Sequence, residues 1–310
     1  MTALYKTRDL SPDVHPQAPG YQDFSKTYTS FKTRITHEGN KPGATLAKRL
    51  RVFEDLCAFP LGRFLIQNSG LDAYWADYVI RGGDAPTQDL HPLEAFLLFK
   101  APLMLALRER FHMSQSIIQS HLINGMCMVS APCGLMRDLL TLDYSALNKL
   151  RLIGVDFDFE AIMHAHALAD HKGLSTVTEY RQDDTTNLGM TNLCDVLISH
   201  NLQRGEAASA NQEYQSFYKA LKPGGLLITS FLTPGPHQDA NSPWNKDLIP
   251  QGDLELATLI WEDIAKIHGG PYHTIDDLSG QLTAAGFTNI QCIYDSQRML
   301  PTVIAQKPQA

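Results

Sequence analysis

The chain has 310 residues, 44% of them hydrophobic and 19% charged, which supplies a large core and excludes a disordered polymer. Its formal net charge of −7 at pH 7 counts against broad nucleic-acid binding, because neutralising phosphates takes a basic face. The five cysteines (Cys57, Cys127, Cys133, Cys194, Cys292) are odd in number and lack CxxC spacing, and the histidines form no HExxH, so the pattern suggests a reducing, cytoplasmic setting and no metal site.

Residues 1–44 set Tyr5, Tyr21, Phe24, Tyr28 and Phe31 on a background of Pro, Gly, Ser and Thr. They read as an N-terminal arm with no signal peptide: it covers a site, clasps a second copy in a homodimer, or hangs loose. Residues 45–124 have helical periodicity, with an apolar stripe at Leu46, Leu50, Phe53, Leu56 and Cys57. The most apolar stretch, 93–107, is interrupted by Lys100 and Pro102 and falls short of the roughly 20 residues a bilayer span needs, so it reads as a buried helix pair and not as a membrane segment. A further helix is expected to start at Ser114 or Ser116. The whole makes a helical cap, expected to serve as substrate lid, scaffold or dimer interface.

From 125 to 310 short apolar runs alternate with helical ones. Strands are expected at 126–131, 151–156, 177–180, 194–199 and 226–231, with helices at 137–142, 159–171 and 212–221 between them, the pattern of a doubly wound, mostly parallel sheet. A long insertion, 233–274, opens rich in Pro and Gly and turns helical from Leu254. A helix over 276–285 then leads into strands at 289–294 and 302–306, too close together for a parallel crossover, so they must pair antiparallel. That makes seven strands ending in an antiparallel hairpin.

The first run, Met126-Cys-Met-Val-Ser-Ala-Pro-Cys-Gly-Leu-Met-Arg-Asp-Leu-Leu140, reads as strand, tight bend and helix, and about twenty residues on, Asp156 closes the second strand. Open α/β sheets hold nucleotides at such a place, on backbone N–H groups of the bend, with the acid on a ribose. With the terminal hairpin, these residues resemble the class I S-adenosylmethionine (SAM) dependent methyltransferases over roughly 125–310. In that family's acidic-x-Gly-x-Gly-x-Gly motif, Ser130 stands for the acid, Pro132 for the first glycine, Gly134 for the second and Met136 for the third. The resemblance implies a Rossmann-like methyltransferase fold and a SAM site lined by Ser130, Ala131, Cys133, Gly134 and Asn201. Asp156 is expected on the ribose diol, Phe157 on adenine or in the core, and Asp183 in preference to Asp184 on the adenine amino group. Arg137 either reaches the cofactor carboxylate or lies on the surface.

Methyl transfer needs no covalent intermediate, so Cys133 reads as a packing residue. His200, after the fourth strand, titrates in the range a general base requires. Tyr272 and His273 in the insertion offer a second candidate base, and Trp244, Tyr294 and Arg298 are expected at the same mouth. The expected activity is methyl transfer from SAM to an O or N nucleophile of a small molecule, without nucleic-acid or membrane partners. Three alternatives stay open: a non-catalytic binding protein on this fold, a protein or RNA methyltransferase, and a nicotinamide-dependent oxidoreductase, against which Pro132 and Met136 count.

Overall fold

In the computed structural model, which describes residues 24–82, 89–200, 207–267 and 271–309, the chain divides into two compact units, 1–101 with 251–268 and 102–250 with 269–310. The second half of the insertion thus belongs with the N-terminal helices, and the helix that follows Ala101 belongs with the sheet.

The first unit is helical. It holds α1 (Phe24–Glu38), α2 (Leu46–Cys57), α3 (Pro60–Asn68), α4 (Ala73–Arg81), α5 (Pro92–Phe99), α10 (Gln251–Thr258) and a π-helical turn (Leu259–Ile264). Local chemistry sets the starts: Thr45 accepts from Lys48 N at 3.2 Å, Asp72 accepts from Trp75 N at 2.8 Å, and Pro60 and Pro92 occupy first turns. Part of the expected arm is therefore helix, with Tyr28 and Phe31 packed on Phe53 at ring separations of 5.1 and 6.4 Å.

The buried face of α2 is Arg49, Val52, Phe53 and Leu56, rotated from the expected stripe because a guanidinium is drawn inside. Arg49 is fully buried. Its Nε and Nη2 donate to the two carboxylate oxygens of Asp263 at 2.6 and 2.9 Å, Nη2 also meets Glu38, and Nη1 donates to Ile35 O at 3.2 Å. Lys41 bonds Asp263 at 2.7 Å, and Arg34 donates to the carbonyls of Asp263 and Ile264 at 3.0 and 2.6 Å, so residues 260–264 are fastened to α1 and α2 by charge.

The second unit opens with α6 (Pro102–Ser120), one unbroken helix: Ser114, expected as a start, lies mid-helix and fully buried. Then follow β1 (Cys127–Ser130), α7 (Arg137–Leu140), β2 (Arg151–Asp156), α8 (Phe159–His171), β3 (Thr178–Gln182), β4 (Cys194–Ser199), α9 (Ala207–Ala220), β5 (Leu221–Ser230), α11 (Ile275–Ala284), β6 (Thr288–Ile293) and β7 (Thr302–Gln306). The seven strands lie in the order β3-β2-β1-β4-β5-β7-β6, the first five parallel and β7 antiparallel to both its neighbours. This is the expected doubly wound sheet with its terminal hairpin. Alternate residues feed two cores: Val129, Ile153 and Leu197 on one face, Met128, Leu152 and Val196 on the other.

The chain winds from β1 outward to β3 and then returns to β4, which places a switch point at the carboxyl ends of β1 and β4, where open sheets of this kind take their ligands. At the opposite end Lys222 bonds both oxygens of Asp195 at 2.8 and 2.7 Å, and Asp195 also accepts from Cys127 N at 2.8 Å.

Candidate functional site

The bend after β1 keeps the expected shape but spends its backbone differently. Ala131 N donates to Ile198 O, Cys133 N to Val155 O and Gly134 N to the Asp156 carboxylate, at 2.9, 2.8 and 2.8 Å, so the expected row of unpaired N–H groups is largely used within the protein. Gly134 and Met136 have φ of 48° and 54°, and Met136 takes a left-handed conformation at the third glycine position of the family motif. The bend survives the loss of that glycine at a cost of about 1–2 kcal/mol.

Cys133 and Met136 pack against Gly154, in a core cluster that also takes in Tyr180. A Cβ on Gly154 would lie 2.9 Å from Tyr180 Cδ1 and 3.1 Å from each of the two sulfurs. Gly154→Ala is therefore expected to cost about 1–3 kcal/mol in urea unfolding by displacing this bend. Burial raises the Cys133 thiol pKa well above its ordinary value, in keeping with packing and not nucleophilic work.

Asp156 is buried at the end of β2, where Oδ2 accepts from Gly134 N at 2.8 Å and Oδ1 from Asp158 N at 3.0 Å. Each carboxylate oxygen keeps a second lone pair for a ligand hydroxyl. Burial raises its pKa, against the lowering effect of those two backbone bonds. Phe157, next in the chain, is 80% exposed, so it serves no core. Asp158 caps α8 by accepting from Glu160 N at 2.9 Å. Of the pair after β3, Asp184 caps a short turn through Thr186 N at 2.8 Å, whereas the exposed Asp183 is bonded to the end of β2, its N–H donating to Asp156 O at 3.1 Å.

The sequence reading missed the polar heart of the strand ends. Ser130, standing for the motif acid, donates to Asp138 Oδ2 at 3.1 Å, so α7 returns a carboxylate to the end of β1. Asp138 is 8% exposed, and burial pushes its pKa up to about 6 against hydrogen bonds from Ser130 and Leu139 N. From α6 comes Arg110, 6% exposed, whose Nη1 donates to Ser230 Oγ at 3.0 Å at the end of β5 and lies 3.5 Å from His200 O after β4. His200 Nδ1 lies 3.2 Å from the same Ser230 oxygen. The missed signal was spacing: Arg110 falls on the stripe Met104, Leu107, Phe111, Ser114, Ile118 of α6.

At the rim, Tyr272 pairs with Leu232 just past β5 and His273 N donates to Leu232 O at 2.9 Å, which brings both to the carboxyl end of the sheet. Trp244 Nε1 donates to Thr233 Oγ1 at 2.9 Å, and Arg298 stacks over Tyr294 in the β6–β7 connection. Arg137 is half-buried at the start of α7. Asn201 lies outside the described residues.

The strand ends thus carry a solvent-facing aromatic beside the acid that closes β2, a buried carboxylate bonded at the end of β1 and a buried guanidinium bonded at the end of β5. No protein-family model and no curated protein matches the chain. Solved structures do. A putative O-methyltransferase from Nostoc punctiforme PCC 73102 aligns with a TM-score of 0.50 at 17% identity, over 82% of this chain and 71% of that one. The CurJ carbon methyltransferase aligns at 0.50 and 16%, over 92% and 71%. The fold is that of the class I SAM-dependent methyltransferases.

Nearer in sequence is a "possible exported protein" from Bordetella parapertussis, with a TM-score of 0.87 at 34% identity over 97% of this chain and 100% of that one. The chain belongs to the family of that protein. Among the described residues no helix is long and apolar enough to cross a membrane.

Proposed function

We propose that the protein is a SAM-dependent methyltransferase acting on an O or N nucleophile of a small molecule. The observation that carries the reading is Asp156, a buried acid at the end of β2 bonded to the bend after β1, beside an aromatic ring left in solvent. Asp156 would hold the ribose diol, Phe157 the adenine face and Asp183 the adenine amino group. Asp138 would take the ammonium that the motif's missing acid would have held.

When bound, the cofactor supplies a methyl group already activated on a sulfonium sulfur. The chain's part is to align and dehydrate, which in well-oriented reactions is worth roughly 7–11 kcal/mol at the limit. His200, its Nδ1 steadied by Ser230, is the base assigned to a hydroxyl or ammonium acceptor, with His273 and Tyr272 at the rim as the alternative. The net charge of −7 favours a small acceptor over RNA. Five free cysteines support a reducing cytoplasm, whereas the Bordetella relative's description names export, and cell fractionation separates the two.

Calorimetry tests the reading. SAM and S-adenosylhomocysteine should bind at pH 7.5 and more weakly as pH falls through about 6, where Asp138 takes up its proton. An absence of heat at high micromolar cofactor would favour a non-catalytic binding protein and defeat the enzyme reading.

A further inference from the structure

We infer that Arg110 and Ser114 of α6, with Thr302 of β7, form a subsite for a ligand carboxylate at the ends of β4 and β5. The inference deepens the methyltransferase reading and rests on it only for the identity of the carboxylate.

A buried guanidinium ordinarily comes with a carboxylate in contact, since an uncompensated charge in the interior is costly. The fully buried Arg49 in the helical unit shows that arrangement, with two acids around it. Among the described residues Arg110 has no such acid. Its Nη1 reaches a hydroxyl and a carbonyl, and its Nε has no partner there. Asp138 and Asp295 act on it through space, without an ion pair closer than 4 Å among the described residues, and burial lowers its pKa to about 10.

The edge of the guanidinium carrying Nε is the edge that grips a carboxylate with two parallel bonds. Two hydroxyls stand by in the same condition. Ser114, one helical turn along the same face of α6, is fully buried and its Oγ has no partner among the described residues. Thr302, the register partner of Ser230, is fully buried and its Oγ1 has no partner among the described residues. Arg110 Nε and the two hydroxyls, one a helical turn along α6 and the other beside Ser230 in the sheet, are buried without partners among the described residues, which describes a place prepared for an anion whose desolvation is complete before it arrives.

Two carboxylates suit it: that of the cofactor's methionine end, with Asp138 taking the neighbouring ammonium, or one on the methyl acceptor. Arg110→Met separates them. If the first holds, the variant binds S-adenosylhomocysteine about 10- to 100-fold more weakly than the wild type, while 5′-methylthioadenosine, which lacks the amino acid, binds both within twofold. If the second holds, S-adenosylhomocysteine binds both proteins equally, and benzoate or succinate titrated into the saturated protein gives heat with the wild type and none with the variant.

Equal cofactor affinity together with no carboxylate binding that depends on Arg110 would overturn the subsite. Failure of both nucleosides to bind the wild type would instead overturn the methyltransferase reading, and benzoate and succinate on the protein alone would then decide the subsite. Folding is controlled for in two ways: Arg110→Met should melt no lower than the wild type, since it removes an unpaired buried charge, and Ser114→Ala should weaken the same ligand with the guanidinium intact.

Discussion

Replacing Arg49 with alanine should destabilise the helical unit by about 3–5 kcal/mol, the usual consequence of removing one partner from a buried ion pair. The side chain is fully buried and divides its donors between Asp263, Glu38 and the carbonyl of Ile35, so its loss strips two acids of their main cation and empties a large volume. Arg49→Lys should recover part of the loss, because a lysine keeps the charge but not the fork that meets both oxygens of Asp263. Urea unfolding followed by tryptophan fluorescence reads this well, since Trp75 and Trp261 report from this unit. A cost below about 1 kcal/mol for the alanine variant would show that Lys41 and Arg34 hold the segment without Arg49.

Acid should mimic the mutation. Partial burial acts to raise the Glu38 pKa, but hydrogen bonds from Lys41 and Arg49 prevail and bring it from 4.5 to about 2, and Asp263 is lowered by the same two partners against its own burial. A depressed carboxylate stabilises the fold above its unfolded pKa and loses that contribution as pH falls through its folded one. The helical unit should therefore keep this stabilisation above about pH 4.5 and lose it progressively toward pH 2.

Backbone pattern was far more legible in the sequence than side-chain chemistry. Continuous apolar runs marked β1, β2, β4 and β5, and the short link between the last two strands forced the antiparallel hairpin, because hydrogen-bond geometry and chain length leave no other pairing. The place of Asp156, at the end of β2 and bonded to the bend, was legible from its distance along the chain. Arg49 and Arg110 were not, although both sit where an apolar stripe requires an apolar residue, and a charge in such a position can be found by asking which helical face it interrupts. Asp138 was hidden for another reason. It lies eight residues past Ser130, beyond a bend with Met136 left-handed, and its carboxylate is nonetheless bonded at the end of β1.

The largest expected effect on ligand binding lies at Asp156 and its neighbour, and the pair separates architecture from recognition. Asp156→Asn puts an amide nitrogen where one of two backbone N–H groups now finds an acceptor, so Gly134 or Asp158 loses its partner and the bend loosens. Nucleoside affinity should drop at least about 100-fold, but a fall of about 1–3 kcal/mol in stability would accompany it and blur the cause. Phe157→Ala has no such confusion. At 80% exposure the ring supports nothing in the protein, so melting should be unchanged. Base–aromatic stacking is worth about 1–3 kcal/mol, which predicts a loss of about 5- to 150-fold in affinity for S-adenosylhomocysteine and an equal loss for 5′-methylthioadenosine, since both carry the adenine. If Phe157→Ala binds both nucleosides as the wild type does, the adenine lies elsewhere; if Asp156→Asn does so too, the end of β2 has no part in holding a nucleoside.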